Sequence, residues 1–372
     1  MNDITQELRG KLGFGCMRLP MLGGSVDNEE FSRMIDAYLA AGFHYFDTAH
    51  GYLEGKSELA LRDCLTSRYP REQYFLVDKL SGSFLNKKED VLPFFESQLT
   101  ACGVEYFDLY LMHSQCAQVF EKFQRLSCYE TVLQLKEQGK IRHFGISFHD
   151  TAEVLEQILT AYPQIEVVQL QLNYLDFEDP AVQSRRCYEV CRKFGKPVLV
   201  MEPVKGGHLA NLPKTAQQPF ADLGGGSPAS YALRFAAGFP GVVMVLSGMS
   251  TMAQMEDNLC VMKDFCPLSL WELKAVAQTA ELIRAENLIS CTACRYCTAG
   301  CPQKISIPDL FACMNAKKKY EDWSSQYYYG IHTAQGGKAS DCIRCGKCEQ
   351  ICPQHLPIRQ LLGTVAEAFE TA

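Results

Sequence analysis

Phe43-His-Tyr-Phe-Asp47, Tyr74-Phe-Leu-Val-Asp-Lys79 and Phe107-Asp-Leu-Tyr-Leu-Met-His113 are three short apolar runs, and each ends on a residue able to carry charge or a proton. Runs of this length and aromatic content read as strands. Lys79 falls 32 residues beyond Asp47, and His113 falls 34 beyond Lys79, so one β/α unit separates each pair. Helical patterns fill the gaps at 57–68 and 91–102. The same alternation continues outward. Upstream lie a strand near 11–17 and a helix at 28–41. Downstream strands at 141–147, 167–171, 197–201 and 242–247 alternate with helices at 129–138, 152–161, 181–194, 228–237 and 252–265. Eight such units are the number that closes a parallel barrel. The competing architecture, an open doubly wound sheet, usually carries G-x-G-x-x-G after its first strand. Gly13-Phe-Gly15-Cys-Met-Arg18 does not fit that pattern. The expectation is an α/β fold, a (β/α)8 TIM barrel over residues 1–265.

The rest of the chain is decided by cysteine. Cys291-Thr-Ala-Cys294-Arg-Tyr-Cys297-Thr-Ala-Gly-Cys301-Pro302 and Cys342-Ile-Arg-Cys345-Gly-Lys-Cys348-Glu-Gln-Ile-Cys352-Pro353 both read C-x2-C-x2-C-x3-C-P. This is the bacterial ferredoxin run for [4Fe–4S] clusters, in which the fourth cysteine ligates the other cluster. Cys291, Cys294, Cys297 and Cys352 are assigned to one cluster, and Cys342, Cys345, Cys348 and Cys301 to the second. Structural zinc, which takes pairs of C-x2–4-C, fits the doubled run badly. The expected order is a helical connector at 266–289, a ferredoxin-type iron–sulfur domain at 290–356 and a closing helix at 357–372. The stretch 303–341 exceeds what two clusters need, and reads either as a cover or as a surface insertion.

Composition narrows the class. Of 372 residues, 47% are hydrophobic and 21% charged, enough for a sizeable core. Net charge is −7 with no long basic run, which argues against nucleic acid as a partner. No apolar run approaches the ~20 residues of a membrane span. The N-terminal stretch has no apolar signal-peptide core. The ten remaining cysteines are scattered without framework spacing, as thiols of a reducing cytosol are; the expectation is a cytoplasmic protein.

In a parallel barrel the reactive groups gather at the C-terminal ends of strands. Asp47, Lys79 and His113 close three successive strands, and Tyr52 follows Asp47 in the next loop, so all four can line one rim. At this point the chain resembles the aldo-keto reductase superfamily over most of 11–265. The resemblance rests on Phe46-Asp47-Thr48-Ala49-x-x-Tyr52, Lys79, Tyr106-Phe-Asp108-Leu-Tyr110-Leu-Met-His113, Gly139-Lys140-Ile141-Arg142-x-Phe144-Gly145-Ile146-Ser147 and the segment from Gly248 to Asn258. It implies a catalytic tetrad of Asp47, Tyr52, Lys79 and His113. Tyrosine, with an ordinary pKa near 10, gives the proton; the Lys79 charge is expected to acidify it, Asp47 to hold the lysine, and His113 to orient the substrate oxygen.

The resemblance also implies a nicotinamide dinucleotide, NAD(H) or NADP(H). Ser147 and Gln169 stand where the carboxamide is held, and Met201 where a stacking aromatic is usual. Gly248 and Gln254 replace the lysine and arginine that clamp a 2′-phosphate, so selectivity for that phosphate is expected to be weak. Asp257 and Asn258 keep the adenine-side polar positions. Lys205 and Arg18 are candidate substitutes for the missing clamp. The loop 203–227 reads as a lid over the cofactor or as a plain surface loop.

Two classes of function follow. One is an oxidoreductase exchanging hydride between nicotinamide and a small carbonyl or alcohol, with the clusters relaying electrons. Within it, a ferredoxin- or flavin-linked reductase is the alternative: a flavin would bridge one- and two-electron chemistry, though no motif specific for flavin is present. A ferredoxin or flavodoxin would then be the carrier, docking on Lys317, Lys318 and Lys319. The other class is a non-catalytic redox sensor, against which the intact tetrad speaks.

Overall fold

The computed structural model describes residues 3–180, 182–286, 288–320, 324–334 and 336–370. Positions 1, 2, 181, 287, 321–323, 335, 371 and 372 of the expected spans lie outside the described residues, as does the side chain of Lys319. The strands are β1 Leu12–Gly15, β2 Met21–Leu22, β3 Ser25–Val26, β4 Tyr45–Asp47, β5 Phe75–Leu80, β6 Phe107–Gln115, β7 Ile141–Phe148, β8 Val167–Gln171, β9 Val198–Met201 and β10 Val242–Ser247. Eight of them close a barrel in the order β1-β10-β9-β8-β7-β6-β5-β4. β4 closes it by pairing parallel with β1, Gly15 opposite Asp47. β2 and β3 form a separate antiparallel hairpin.

The side-chain alternation of strands explains why these runs are apolar throughout. Tyr45, Val77, Leu109, Leu111, Val167, Leu199 and Met244 point inward and fill the barrel. Their neighbours Phe46, Leu76, Tyr110, Val168, Val200 and Val245 point outward into the core shared with the helices. Gly145 shows how tight the staves are. A Cβ there would lie 2.6 Å from the Val167 carbonyl oxygen, so only glycine lets β7 meet β8. Among the surrounding helices, Val91–Cys102 is typical: Val91, Phe95, Leu99 and Cys102 recur at helical spacing on its buried face. It ends at Gly103, whose φ of +66° suits glycine.

The chain divides into two compact units. One is Met1–Val204 with Gly224–Val276; the other is Lys205–Leu223 with Ala277–Ala372. The second has its own core, in which Ile305, Ile307, Leu310, Phe311, Ile358, Leu362 and Val365 pack around the cysteines. The residues expected to be an insertion contribute to that core. Helices Ile307–Tyr320 and Ser324–Thr333 lie within it, and Tyr329 stacks on Phe369 of the last helix, Ile358–Glu370, at 4.6 Å. Among the described residues no helix is long and apolar enough to cross a membrane.

Candidate active site and candidate metal centre

The C-terminal ends of β4, β5 and β6 bring Asp47, Lys79 and His113 to one rim, and the turn Tyr52–Gly55 adds Tyr52. Lys79 is wholly buried. Its Nζ donates to Asp47 Oδ1 at 2.5 Å, to the Thr48 carbonyl at 2.6 Å and to Tyr52 Oη at 3.3 Å. The same nitrogen sits 4.9 Å from the centre of the Tyr52 ring. His113 Nδ1 pairs with Ser81 Oγ at 2.6 Å, and its ring lies 6.1 Å from that of Tyr52, edge to face.

Burial, with Lys79 next and then His149, holds His113 well below the ordinary imidazole range, so the ring is neutral. Burial, and after it the Asp47 carboxylate, holds Tyr52 well above the ordinary phenol range. This differs from the expectation that Lys79 acidifies Tyr52. The lysine charge is already matched by Asp47, and the cation that pulls Tyr52 downward is Arg18. Arg18 stands 3.7 Å from Glu202, the residue just beyond β9. Glu202 adopts a left-handed φ of +55° and leaves Oε2 buried without a hydrogen bond among the described residues.

Tyr52 rides on a strained turn. Leu53 and Glu54 both take left-handed φ values, 51° and 59°, at a cost of about 1–3 kcal/mol each. The turn is pinned behind by His50 Nδ1 to Glu58 Oε2 at 2.8 Å and by Thr48 Oγ1 to Ser57 Oγ at 2.8 Å. Beneath it Gln98 Nε2 donates to Asp78 Oδ1 at 2.9 Å and to the Lys79 carbonyl at 3.1 Å, fixing the back of β5.

Of the residues expected to hold a dinucleotide, Ser147, Gln169, Met201 and Gly248 lie on or just beyond β7 to β10, and Gln254, Asp257 and Asn258 lie on the helix Met252–Lys263. Ser147 Oγ, buried, accepts from the Ser114 N–H at 2.7 Å. Gln169 Nε2 donates to Asp47 Oδ2 at 3.0 Å, which ties it to the tetrad residues. Met201 ends β9, partly exposed. Arg18 covers Gly248: its Cβ and Cδ lie 3.6 and 3.8 Å from where a Cβ would stand. Three of the side chains are engaged in local bonds. Gln254 Oε1 accepts from the Ser250 N–H at 2.7 Å, Asp257 Oδ2 from Ser227 Oγ at 2.6 Å, and Asn258 Nδ2 donates to Ser247 Oγ at 2.7 Å. Most of the stretch expected as a lid, Lys205–Leu223, belongs instead to the second unit.

In that second unit the two cysteine runs adopt one conformation twice. Ala293 and Arg344 take φ of 53° and 57°, Arg295 and Gly346 64° and 78°, and Lys304 and His355 53° and 50°. Each run closes around a cavity, and the ligands cross. Cys291, Cys294, Cys297 and Cys352 line one; Cys301, Cys342, Cys345 and Cys348 line the other, with Ile307 in the wall of both. Four thiols facing an apolar cavity fit an iron–sulfur cluster. Burial, then the neighbouring Cys294, Cys291 and Cys352, pushes the Cys297 thiol up to about 12, a crowding that bound cationic iron relieves. Burial raises Cys352 as well, with Lys205 acting in the opposite direction. Of the basic stretch Lys317–Lys319, Lys317 donates to the Ala368 carbonyl and lies 4.6 Å from the centre of the Phe369 ring, so it is packed into the fold.

The sequence reading missed Ser81, Glu202 and the position of Arg18 beside Tyr52. Glu202 carried a signal, an acid directly after a strand end. Ser81 and Arg18 carried none, because their partners are distant in sequence.

Comparison with known proteins agrees with the barrel and with the domain that follows it. The model of the aldo/keto reductase family matches residues 11–281, and that of the 4Fe-4S dicluster domain matches 290–356. An aldo-keto reductase of Mycobacterium sp. (strain KMS) is 31% identical over 195 residues, 51% of this chain and 68% of the relative. The NADH-specific methylglyoxal reductase of Escherichia coli is 29% identical over 230 residues, 56% of this chain and 66% of the relative. A thermostable aldo-keto reductase solved with the inhibitor epalrestat superposes with a TM-score of 0.60 at 22% identity, over 72% of this chain and 94% of that one. An aldo-keto reductase of Klebsiella pneumoniae solved with NADPH gives 0.57 at 20% identity, over 73% and 90%.

Proposed function

Because the chain belongs to the aldo/keto reductase family and carries a 4Fe-4S dicluster domain, we propose that it exchanges hydride between a nicotinamide dinucleotide and a small carbonyl or alcohol. The observation that carries this reading is the Lys79–Tyr52–His113 arrangement at the mouth of the barrel. Bound nicotinamide supplies or accepts the hydride, and the bound clusters supply single electrons. The chain's own residues handle the proton. Tyr52, kept as a phenol by burial, gives its proton to the oxygen on which charge develops. Lys79, its charge already matched by Asp47, holds that hydroxyl in place with a hydrogen bond at 3.3 Å. Asp47 holds the lysine in place from the other side. His113 is neutral, and in the tautomer that accepts from Ser81 at Nδ1 it offers an N–H at Nε2 to the substrate oxygen.

The dinucleotide is proposed to lie along Ser147, Gln169, Met201 and Gly248–Asn258. A relative named as NADH-specific supports weak demand for the 2′-phosphate. Cys345 is exposed and flanked by exposed Arg344 and Lys347, which suits an acidic one-electron carrier better than the packed Lys317 does. The domain order proposed is barrel to 265, connector, cluster domain 290–356 and closing helix. Tyr52→Phe is the test. Carbonyl reduction by the holoprotein should fall about 10²–10⁴-fold, the worth of one positioned acid, while dinucleotide affinity stays within a few-fold. Near-normal turnover would assign the proton to another group.

A further inference from the structure

The two cluster cavities are built from a repeated loop, so the residues that break the repeat are informative. The break is made by the chain just beyond β9. His208 Nε2 pairs with the Cys291 carbonyl at 2.8 Å. Gly206, with φ of +63°, lies so close to Thr292 that a Cβ would stand 2.8 Å from its side chain. Lys205, only 3% exposed, donates from Nζ to Gln354 Oε1 at 3.0 Å. Thr292, Gln354 and Cys291 all line the first cavity. The repeat counterpart of Gln354 is Gln303, which lines the second, and the cations there differ in setting. Lys347 is exposed, and Arg359 is paired with Glu349 at 2.6 Å. The first site has its own paired arginine, Arg295 with Asp309 at 2.7 Å. The paired arginines offset one another between the two sites. Among the described residues Lys205 has no counterpart at the second cavity.

We infer that Lys205 is a redox-positioning residue, whose buried ammonium makes the cluster held by Cys291, Cys294, Cys297 and Cys352 the more easily reduced of the two. Reduction adds one electron to a cluster and one negative charge to its surroundings, with no bond made or broken and no proton required. A cation in a poorly screened place stabilises that charge far more than one in water. Net charge, hydrogen bonding and exposure are the levers the protein has on cluster potential. The inference rests on the dicluster domain alone and stands apart from the hydride chemistry of the barrel.

The experiment is an anaerobic potentiometric titration of the full holoprotein, with dithionite as the electron donor and electron paramagnetic resonance as the readout. Two one-electron steps are expected. Lys205→Gln should lower the higher potential so that its reduction constant falls about tenfold, which is about 59 mV for one electron, and leave the lower step in place. Lys205→Arg should restore most of the shift. Lys347→Gln, exposed and screened, should move either step less than threefold. An unchanged higher potential in Lys205→Gln, or a shift confined to the lower step, overturns the inference. If Lys205→Gln fails to retain eight irons, protein labelled with 15N at the lysine side chains decides on the Lys347→Gln background. One-electron reduction must then produce hyperfine coupling to a lysine nitrogen, and its absence overturns the inference equally.

Discussion

Lys79 is a wholly buried charge, and the proposed proton transfer depends on it as stability does. With Asp47 beside it, the pair is nearly neutral to its surroundings; alone, either member is a buried charge without its counter-ion. Removing one partner of such a pair costs about 3–5 kcal/mol, whereas removing both costs much less. Lys79→Met should therefore lower the urea midpoint followed by circular dichroism, and Asp47→Asn combined with Lys79→Met should recover most of that loss. Neither variant should reduce carbonyls. Equal destabilisation in the single and double variants would show that packing, not charge, is what Lys79 contributes. Gly248 and Gln254 support a second expectation at this scale. Neither carries charge, and Gln254 is bonded to the Ser250 N–H, so NADH should bind at least as well as NADPH in a direct titration. Arg18, packed over Gly248, is the cation to change if NADPH proves strongly preferred. In the opposite direction, Gly248→Lys with Gln254→Arg should favour NADPH by about 1.5–3 kcal/mol, the scale of a hydrogen bond to a charged group.

The turn that carries Tyr52 is an element held by its ends. Its hydrogen bond to Glu58 raises the His50 pKa from the ordinary value of 6.5, against a smaller effect of burial. A raised folded pKa means stabilisation that is complete below pH 6.5 and is lost as pH rises through the folded value. Amide exchange in 50–55 should therefore quicken as pH climbs past that value, beyond the ordinary base dependence, and His50→Phe should abolish the excess. The barrel elements were legible from sequence because fully buried strands leave unbroken apolar runs: β8 and β10 have the bounds their runs suggest. What was not legible has short or weak burial. β2 and β3 have two residues each and exposed Met21 and Leu22, and the helix Ala117–Arg125 buries only Phe123. The 303–341 stretch looked dispensable because its apolar residues pack on cysteines and on the distant last helix, pairings that no local period reveals. Strand-end position was enough to bring Asp47, Lys79 and His113 under suspicion, and the loop after β4 added Tyr52. It could not reveal that Ser81 backs His113, or that Gln169 turns to Asp47.

At the scale of the whole molecule, two cores of different kinds share one chain. The first is an ordinary hydrocarbon core that closes the barrel. The second is small, and its apolar residues pack against the cluster cysteines themselves, Cys297 and Cys348 within it and Cys291, Cys301, Cys342 and Cys352 at its margin. A core of that size gains much of its folding energy from the group it binds. Two 4Fe clusters correspond to eight irons and eight acid-labile sulfides per chain, and Cys294→Ser or Cys345→Ser should each lose half. Stripping the iron with a chelator under oxidant should then unfold 277–372 while leaving the barrel helices and strands intact. The segment Lys205–Leu223 sharpens the expectation, because it is inserted between β9 and the helix Pro228–Ala237 yet belongs to the cluster unit. Loss of iron should expose it to protease before any site in 28–201. Proteolysis with mass-spectrometric mapping reads this directly: early cuts at Lys205 or Lys214 in the stripped protein, and protection in the holoprotein. Early cutting throughout 28–201 would instead mean that the barrel depends on the clusters for its own stability.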